Sequence, residues 1–142
     1  MIKVSAELVR RTVGELRRCG VGRRECVVYW VAAQSRPDEV VDVIHPTHLA
    51  SRFGYEIDSG WLTQFMFSLA DDLRMAIAQV HTHPGPFVDH SPTDDEFVLV
   101  PSPGFVSIVV PEFATSDDPA DWGVHVLEAS GRWRTDRSEI AL

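Results

Sequence analysis

The sequence indicates an α/β (α+β) protein in which a β-sheet lies between helices. Two segments carry apolar residues at helical spacing, and several others are rich in the β-branched and aromatic residues that favour strands. The chain has 142 residues, of which 44% are hydrophobic, and this suits one domain with a sizeable core. We therefore expect residues 1–142 to form a single domain.

The first helix is predicted over residues 6–19, with Ser5 as its cap and Gly20 as its stop. Its apolar face carries Val9, Val13 and Leu16. Residues 26–33 follow as a strand whose continuous apolar character indicates burial on both faces. A turn then leads to a second strand at residues 39–44, which we expect to be antiparallel to the first.

Residues 45–60 lack a clear pattern, and such irregular segments are often functional. Asp58 or Ser59 then caps a second helix that extends to about residue 73. Its apolar positions, which we assign to the core, are Trp61, Leu62, Phe65, Leu69 and Leu73.

The rest of the chain is predicted to be mainly strands. One leads up to His81, and a short helix begins near Thr93. The later strands are expected at residues 105–110, 123–128 and 132–135. The last two are joined as a hairpin through Ser130 and Gly131.

The polar residues that suggest chemistry lie close together in the sequence. His81 and His83 follow the apolar run at residues 75–80, which alternates well enough to be a strand that points both imidazoles the same way. Seven residues later, Ser91 and Asp94 mark a helix start that a turn can bring back over the strand end. The spacing therefore predicts that these side chains meet.

Two histidines and a carboxylate are a ligand set for zinc. A catalytic Zn²⁺ takes three protein ligands and keeps a fourth position for water, whose pKa it lowers from about 15.7 towards about 7. His81, His83 and Asp94 supply such a set for one ion. In isolation each half has a structural explanation, since a His-x-His pair can be merely hydrogen-bonded and Ser-x-x-Asp resembles a capping box. Both halves at this separation favour the metal site.

The pattern His81-x-His83, seven residues, Ser91-x-x-Asp94 resembles the signature of the JAMM metalloproteases, also called MPN-plus or JAB. The resemblance implies a curved mixed β-sheet flanked by helices, with the zinc at one end. It also implies hydrolysis of isopeptide or peptide bonds after the C-terminal glycine of a ubiquitin-like protein, in deconjugation or precursor processing. Small stand-alone chains are similar to the prokaryotic branch, which accompanies ubiquitin-like conjugation genes, including antiviral operons.

The family has a glutamate near the start of its first core strand, and Glu25 matches that place. The resemblance implies that Glu25 takes a proton from the water on zinc and later delivers one to the leaving amine, while Ser91 helps to stabilise the oxyanion. From the residues alone, the simpler explanation is that Glu25 pairs with Arg23 or Arg24. The run after Glu25 departs from the Cys-Gly-Leu-Leu-Gly-like run of the family, which leaves the identity of the modifier open.

Two other functions stay open within this resemblance. One is a hydrolase that releases cysteine from a sulfur-carrier ubiquitin-like protein. The other is a binding scaffold that keeps the fold without catalysis. A zinc deaminase is excluded because its His-x-Glu and Pro-Cys-x-x-Cys ligands are absent from the sequence.

Charge and hydropathy exclude several classes of partner. A formal net charge of −8 argues against nucleic acid, since its binding draws mainly on Lys and Arg. The arginines of the first helix are interpreted as a solvated face. There is no apolar run of about 18 residues for a membrane span and no leader-like start, so we expect a cytoplasmic protein.

The remaining histidines, cysteines and loop residues receive structural interpretations. Cys19 and Cys26 lack CxxC spacing, so we expect neither a disulfide framework nor a thiolate zinc site, and Cys26 is interpreted as a small core residue. His90 is expected to be a solvent-facing loop residue. Phe87 and Val88 either contact the substrate tail or pack under their loop. The histidines without any motif are His45, His48 and His125.

Overall fold

The structure is a computed structural model that describes residues 1–91, 94–95 and 98–142. Its helices are α1 (Ala6–Gly20) and α2 (Ser59–Asp71), with three short 3-10 helices at Glu112–Ala114, Pro119–Asp121 and Arg137–Glu139. Its strands in the first half are β1 (Ile2–Lys3), β2 (Val27–Ala33), β3 (Asp42–Ile44), β4 (His48–Ser51) and β5 (Gly54–Ile57). Its later strands are β6 (Arg74–Thr82), β7 (Val106–Val110), β8 (Gly123–Leu127), β9 (Trp133–Thr135) and β10 (Ile140–Ala141).

The main sheet has six strands in the order β3-β2-β6-β7-β8-β9. Strands β6 and β7 are parallel, and every other neighbouring pair in this sheet is antiparallel. The sheet is therefore mixed, and helices flank it, as predicted. Two smaller pairs accompany it, the parallel pair of β1 and β10 and the antiparallel hairpin of β4 and β5.

Strand β2 is buried on both faces, and its alternate residues enter two different cores. Val28 and Trp30 pack in the cluster that also contains Val13 and Leu16 of α1. Tyr29 points to the opposite face, where a second cluster includes the apolar residues of α2. This two-sided burial explains why the strand is continuously apolar. The Trp30 indole Nε1 donates to Thr12 Oγ1 at 2.9 Å, which satisfies its buried polar atom.

Helix α1 begins as predicted, because Leu8 N donates to Ser5 Oγ at 3.2 Å. Its end differs, since Gly20 is the last helical residue and Val21 takes the left-handed conformation, with φ of 46°. The Val21 N–H donates to Arg17 O at 2.9 Å, so this hydrogen bond closes the helix where a glycine was expected to do so. The arginines on the outer side of α1 are exposed, as predicted.

Helix α2 is capped by Asp58, whose Oδ2 accepts from Trp61 N at 2.8 Å. Phe65 and Leu69 are buried, which confirms its apolar face. The assignment of Leu73 to that face is wrong. Leu73 follows the helix in the left-handed conformation, with φ of 55°, and is 68% exposed, because the chain turns there to enter β6.

The segment at residues 45–60 is not irregular, because β4 and β5 form a hairpin with a tight turn between Ser51 and Gly54. Strands of four residues are too short to show a convincing alternation. Strand β3 is shorter than the predicted 39–44, because the N–H of Val40 donates instead to Lys3 O, at 2.9 Å. The short helix predicted from Pro92 and Thr93 lies outside the described residues, apart from Asp94 and Asp95, which are helical.

The structure joins Cys19 and Cys26 in a disulfide, which corrects the prediction that none forms. The turn after α1 folds back onto the start of β2 and brings the two Cα atoms to 6.1 Å, within the range that a disulfide spans. Spacing along the sequence did not reveal this return. Cys26 is fully buried, as predicted for a small core residue. Neither described helix combines the length and the apolar character needed to cross a membrane.

Candidate metal centre

His81 and His83 lie at the end of β6, in the middle of the main sheet. His81 is in register with Val27 of β2 and Val109 of β7, so neighbouring strands cover it on both sides. His83 follows the strand, and its N–H donates to Val110 O at 2.9 Å. Both side chains are buried. The sheet therefore holds the two rings in place from three strands.

Asp94 returns over this strand end, as the spacing predicts. Its Oδ1 lies 3.3 Å from Nε2 of His81, and its Oδ2 lies 3.0 Å from Nε2 of His83. The two Nε2 atoms are 3.2 Å apart. Ligands about 2.0–2.1 Å from a tetrahedral Zn²⁺ are separated by about 3.3 Å, so these contacts between two nitrogens and two carboxylate oxygens are close to the ligand spacing of such a site.

The hydrogen bonds around His83 leave either a proton or a metal ion to lie between this ring and Asp94. Nδ1 of His83 lies 2.8 Å from the Phe87 carbonyl oxygen, which can only accept, so Nδ1 carries the proton. In the neutral ring, Nε2 then presents a lone pair to the Asp94 carboxylate. Facing lone pairs repel unless a proton or a metal ion lies between them. The donor set of two imidazoles and one carboxylate fits Zn²⁺.

Burial and hydrogen bonding shift the pKa values of these groups in different directions. Burial lowers the pKa of His81, which favours the neutral imidazole that binds metals. Burial also acts to lower the pKa of His83, but the hydrogen bonds to Asp94 and to the Phe87 carbonyl outweigh it and raise that pKa. Burial acts to raise the pKa of Asp94, yet its hydrogen bonds with both histidines hold that pKa well below its usual range. Asp94 is therefore a carboxylate at neutral pH.

The two candidate ligand histidines differ in the contacts of Nδ1, the ring nitrogen that does not face Asp94. The Phe87 carbonyl orients the His83 ring, as is common for metal-binding histidines. Nδ1 of His81 is buried and has no hydrogen-bond partner within the described part of the chain. The packing of the sheet, and not an outer hydrogen bond, therefore fixes His81.

The backbone N–H groups of Ser91 and Asp94 each donate to the side chain of the other residue. Ser91 N donates to Asp94 Oδ2 at 2.9 Å, and Asp94 N donates to Ser91 Oγ at 3.1 Å. This is the reciprocal pattern of a capping box, with Asp in place of the usual Glu or Gln. The Ser91 oxygen accepts in this pair, so its own hydrogen remains available to another acceptor.

Glu25 lies at the entry of β2 and lines the same cavity as His83, Ser91 and Asp94, with a volume of about 380 Å³. Glu25 is only 8% exposed, and its backbone N–H donates to Ser51 O at 2.6 Å. Burial raises its pKa to about 7; the charge of His83 acts to lower it and that of Asp94 adds to the rise. No ion pair joins Glu25 to an arginine within the described ranges, which argues against the simpler explanation from the sequence.

Aromatic side chains surround the mouth of the cavity. The β4–β5 hairpin contributes Phe53 and Tyr55, and the loop after β6 contributes Phe87. Phe87 is 54% exposed and stacks on the His83 ring at 5.8 Å between centroids. Val88 instead serves the packing of its loop, since its carbonyl lies 2.8 Å from Nε2 of His125. Contact between Phe87 and a substrate tail stays a prediction.

The interpretation of His90 as solvent-facing is wrong, because its side chain is only 5% exposed. Its ring packs 4.5 Å from Trp133 and 4.4 Å from His125, between ring centroids. Burial, followed by the charges of His125 and His81, lowers the pKa of His90 to about 4, so the ring is neutral at pH 7. The sequence did offer one sign that His90 lies near the site, because His90 directly precedes Ser91.

His90 is part of a chain of hydrogen bonds that anchors the loop after His83, residues 84–91, to the sheet. We call this segment the metal loop. Asp95 Oδ1 accepts from Nδ1 of His90 at 3.1 Å, so Nε2 of the neutral ring accepts from the Ser107 hydroxyl at 2.8 Å. Gln79 Nε2 donates to Ser107 Oγ at 3.3 Å. Sequence reasoning missed this chain, although two polar residues inside otherwise apolar strands could have indicated it.

Comparisons with known proteins agree with this fold. A JAB1/MPN domain protein of Archaeoglobus fulgidus superposes with a TM-score of 0.59 at 15% identity, covering 100% of this chain and 98% of that one. A structure described as the JAMM metalloprotease-like zinc site in the proteasome and signalosome superposes with a TM-score of 0.53 at 16% identity, over 100% and 99% of the two chains. The chain therefore has the JAB1/MPN fold, as the resemblance implied.

One curated relative shares part of the sequence. It is a probable metalloprotease, y4jG, of Sinorhizobium fredii, and it is 40% identical over 58 residues. The match covers 40% of this chain and 35% of that protein, so it spans about a third of the length of the relative. No protein-family model matches the chain.

Proposed function

We propose that this protein is a zinc-dependent peptidase or isopeptidase that cleaves after the C-terminal glycine of a ubiquitin-like protein. The observation that carries the proposal is the convergence of His81, His83 and Asp94, with His83, Asp94 and Glu25 lining one cavity. A JAMM-like fold and a partial relative named as a metalloprotease support the zinc peptidase chemistry.

The residues divide the reaction between them. One bound Zn²⁺ would supply a Lewis acid and an acidified water. His81 and His83 hold the ion as neutral imidazoles, and Asp94 contributes the single negative charge. Glu25 accepts the proton of the attacking water and later delivers it to the leaving amine, and a pKa of about 7 lets one carboxyl do both at neutral pH. The free hydrogen of Ser91 donates to the oxyanion that develops on the scissile carbonyl.

The shape of the cavity suits a tail that ends in glycine. The exposed rings of Phe53 and Phe87 stand at the rim of a cavity of about 380 Å³, and Tyr55 forms part of its wall. A glycine has no side chain to place among these rings, so this lining is compatible with a Gly-Gly tail in extended form. An edge of the nearby β4–β5 hairpin offers such a tail backbone hydrogen bonds.

A panel of substrates tests the proposal. The zinc-loaded protein is offered ubiquitin-like proteins that are extended past the terminal glycine by a peptide, by a lysine-linked partner, or by cysteine, and the products are identified by mass spectrometry. We expect cleavage directly after the glycine, lost on chelation and restored by Zn²⁺. Release of cysteine alone would assign the chain to sulfur-carrier processing. Zinc binding without cleavage of any panel member would favour the scaffold function and contradict the proposal.

A further inference from the structure

A second cluster of metal-ligating side chains lies where the end of α1 meets the β4–β5 hairpin. Ligand atoms of Cys19, His45 and His48 all lie within 4.8 Å of one another. This cluster shares no residue with the first centre. Its nearest connection to that centre is Tyr55, whose ring centroid is 6.2 Å from that of His48 and 5.9 Å from that of His81.

The hydrogen bond of His48 prepares it to bind a metal through Nε2. Nδ1 lies 2.9 Å from the Pro46 carbonyl oxygen, which can only accept, so Nδ1 carries the proton. In the neutral ring, Nε2 then directs a lone pair at Cys19 Sγ, 3.3 Å away. An imidazole held by a backbone carbonyl on its outer nitrogen is the usual arrangement of a metal-binding histidine.

In the disulfide form, Cys19 donates no hydrogen bond to this lone pair of His48. A sulfur bonded to another sulfur carries no proton to donate, so the contact between His48 and Cys19 is not a hydrogen bond in the disulfide form. Reduction changes the partner, because a Cys19 thiol can donate to Nε2 and a Cys19 thiolate can share a cation with it.

His45 completes a three-residue set on the solvent side. Its ring centroid is 4.9 Å from that of His48.

We propose that Cys19, His45 and His48 form a second Zn²⁺ site that exists only when the Cys19–Cys26 disulfide is reduced. One thiolate and two imidazoles are ligands that zinc takes in proteins, with water in the fourth position. A dithiol reductant gives two electrons and two protons to the protein disulfide: the reductant becomes a disulfide while Cys19 and Cys26 become thiols. Zn²⁺ then replaces the Cys19 thiol proton, which is released to solvent.

The two states connect different parts of the fold. In the disulfide, Cys19 is bonded to the residue that follows Glu25. In the zinc form, Cys19 is tied instead to His45 and His48, at the start of the hairpin that lines the first cavity. The sulfur cannot serve both partners, so the redox state selects one connection. The inference does not depend on the proposed peptidase activity.

Cobalt provides a direct readout, since Co²⁺ takes zinc sites and a thiolate ligand adds a charge-transfer absorption in the near ultraviolet. The first centre contains no thiolate, so its Co²⁺ cannot produce this band. We expect the full chain to show the band after reduction with a dithiol and to lack it when oxidised. Cys26→Ser should show the band without reductant, because Cys19 has lost its partner. Cys19→Ser, which keeps Cys26, should lack it under both conditions.

Histidine variants test the rest of the set. His48→Asn and His45→Asn should each weaken the Co²⁺ binding reported by the band by at least ~10-fold in the reduced protein. Absence of the band in the reduced chain, with far-ultraviolet circular dichroism unchanged, would overturn the inference. So would a band that persists undiminished in both histidine variants. Since the band is independent of peptide cleavage, its absence says nothing against the first centre.

Discussion

Ser91 and Asp94 exchange two hydrogen bonds, at 2.9 Å from Ser91 N to Asp94 Oδ2 and at 3.1 Å from Asp94 N to Ser91 Oγ. The same carboxylate oxygen that accepts from Ser91 lies 3.0 Å from the ring of His83. The capping box and the metal ligand are therefore not alternatives here, because one pair of residues serves as both. The cap holds the carboxylate in the orientation that the two histidines need.

Ser91→Ala removes both the side-chain cap of the helix start and the proposed oxyanion donor. The variant keeps the backbone bond to Asp94, so we expect zinc content to be unchanged. It loses the side-chain cap, at a cost of about 1 kcal/mol in unfolding free energy, and the oxyanion donor, which should lower kcat by about 10²–10³-fold. Urea unfolding and steady-state kinetics measure the two effects. Ser91→Thr keeps the hydroxyl and is the matched control, and full activity of the alanine variant would remove Ser91 from the reaction.

Glu25→Gln should bind zinc normally and lose turnover by about 10²–10⁴-fold, because the amide has nearly the same shape but cannot accept the water proton. Zinc content by atomic absorption and kcat on the substrate found in the panel are the measurements. Glu7→Gln, at an exposed position of α1, controls for the change in charge. Cleavage by the Glu25 variant at the normal rate would mean that another group is the base.

The stability of the metal-free protein should report the raised pKa of Glu25. Its folded value is about 7 and its ordinary value is 4.5, so between these values the folded chain binds more protons than the unfolded chain. The stabilisation from the protonated carboxyl is complete below the ordinary value and is lost as pH rises through about 7. Glu25→Gln never ionises at this position. Its unfolding free energy should therefore match that of wild type at about pH 4 and exceed it by ~3 kcal/mol at about pH 8. A constant difference in urea unfolding across this range would assign Glu25 an ordinary pKa.

Gly123→Ala should damage the metal loop from a distance. A Cβ at Gly123 would lie 2.1 Å from the Val88 carbonyl oxygen, so the loop or β8 must shift. We expect a loss of about 1–3 kcal/mol in unfolding free energy and weaker zinc binding, since the loop also carries the Phe87 carbonyl that orients His83. Gly14→Ala is the control, because a Cβ there meets nothing within 4 Å. It should stabilise α1 by up to about 1 kcal/mol. Equal unfolding midpoints for the two variants would contradict the close approach.

Ser107→Ala tests the hydrogen-bond chain beneath Asp94. The change leaves a buried nitrogen of His90 and one of Gln79 without their partner, which should cost about 1–3 kcal/mol. Zinc affinity should fall by about 10-fold or more, because His90, which holds Asp95 next to Asp94, then loses its own hydrogen bond to the sheet. Competition with a chelating dye measures the affinity. Ser102→Ala, at an exposed loop position, should change neither quantity, and an equally small effect at Ser107 would show that the chain does not position the site.

Local patterns predicted much of this fold. Ser5 was predicted as a helix cap, Asp58 as one of two candidates for the next cap, β2 as a buried strand and β7 as a strand, because caps and apolar runs act within a few residues of chain. The meeting of His81, His83 and Asp94 was also predictable. A strand end, a short turn and a helix start leave little freedom in how these side chains are placed.

Other features depend on contacts between distant parts of the chain. The return of Cys26 to Cys19, the pairing of β4 with β5, and the burial of His90 against Trp133 depend on how whole elements pack. Short strands and single polar residues carry too little pattern to predict such packing. The left-handed residues Val21 and Leu73 likewise follow from where the next strand must begin.

The sequence by itself determined the order of the two helices and of the six main-sheet strands, and the candidate ligand trio of the first centre, since periodicity and close spacing act locally. Only the tertiary structure decided that Glu25 lines the cavity of that trio with its pKa raised to about 7, and that Cys19 lies within reach of both Cys26 and His48. The physical reason is that burial and convergence depend on which surfaces the sheet and its helices cover, and these surfaces come from residues far apart in the chain.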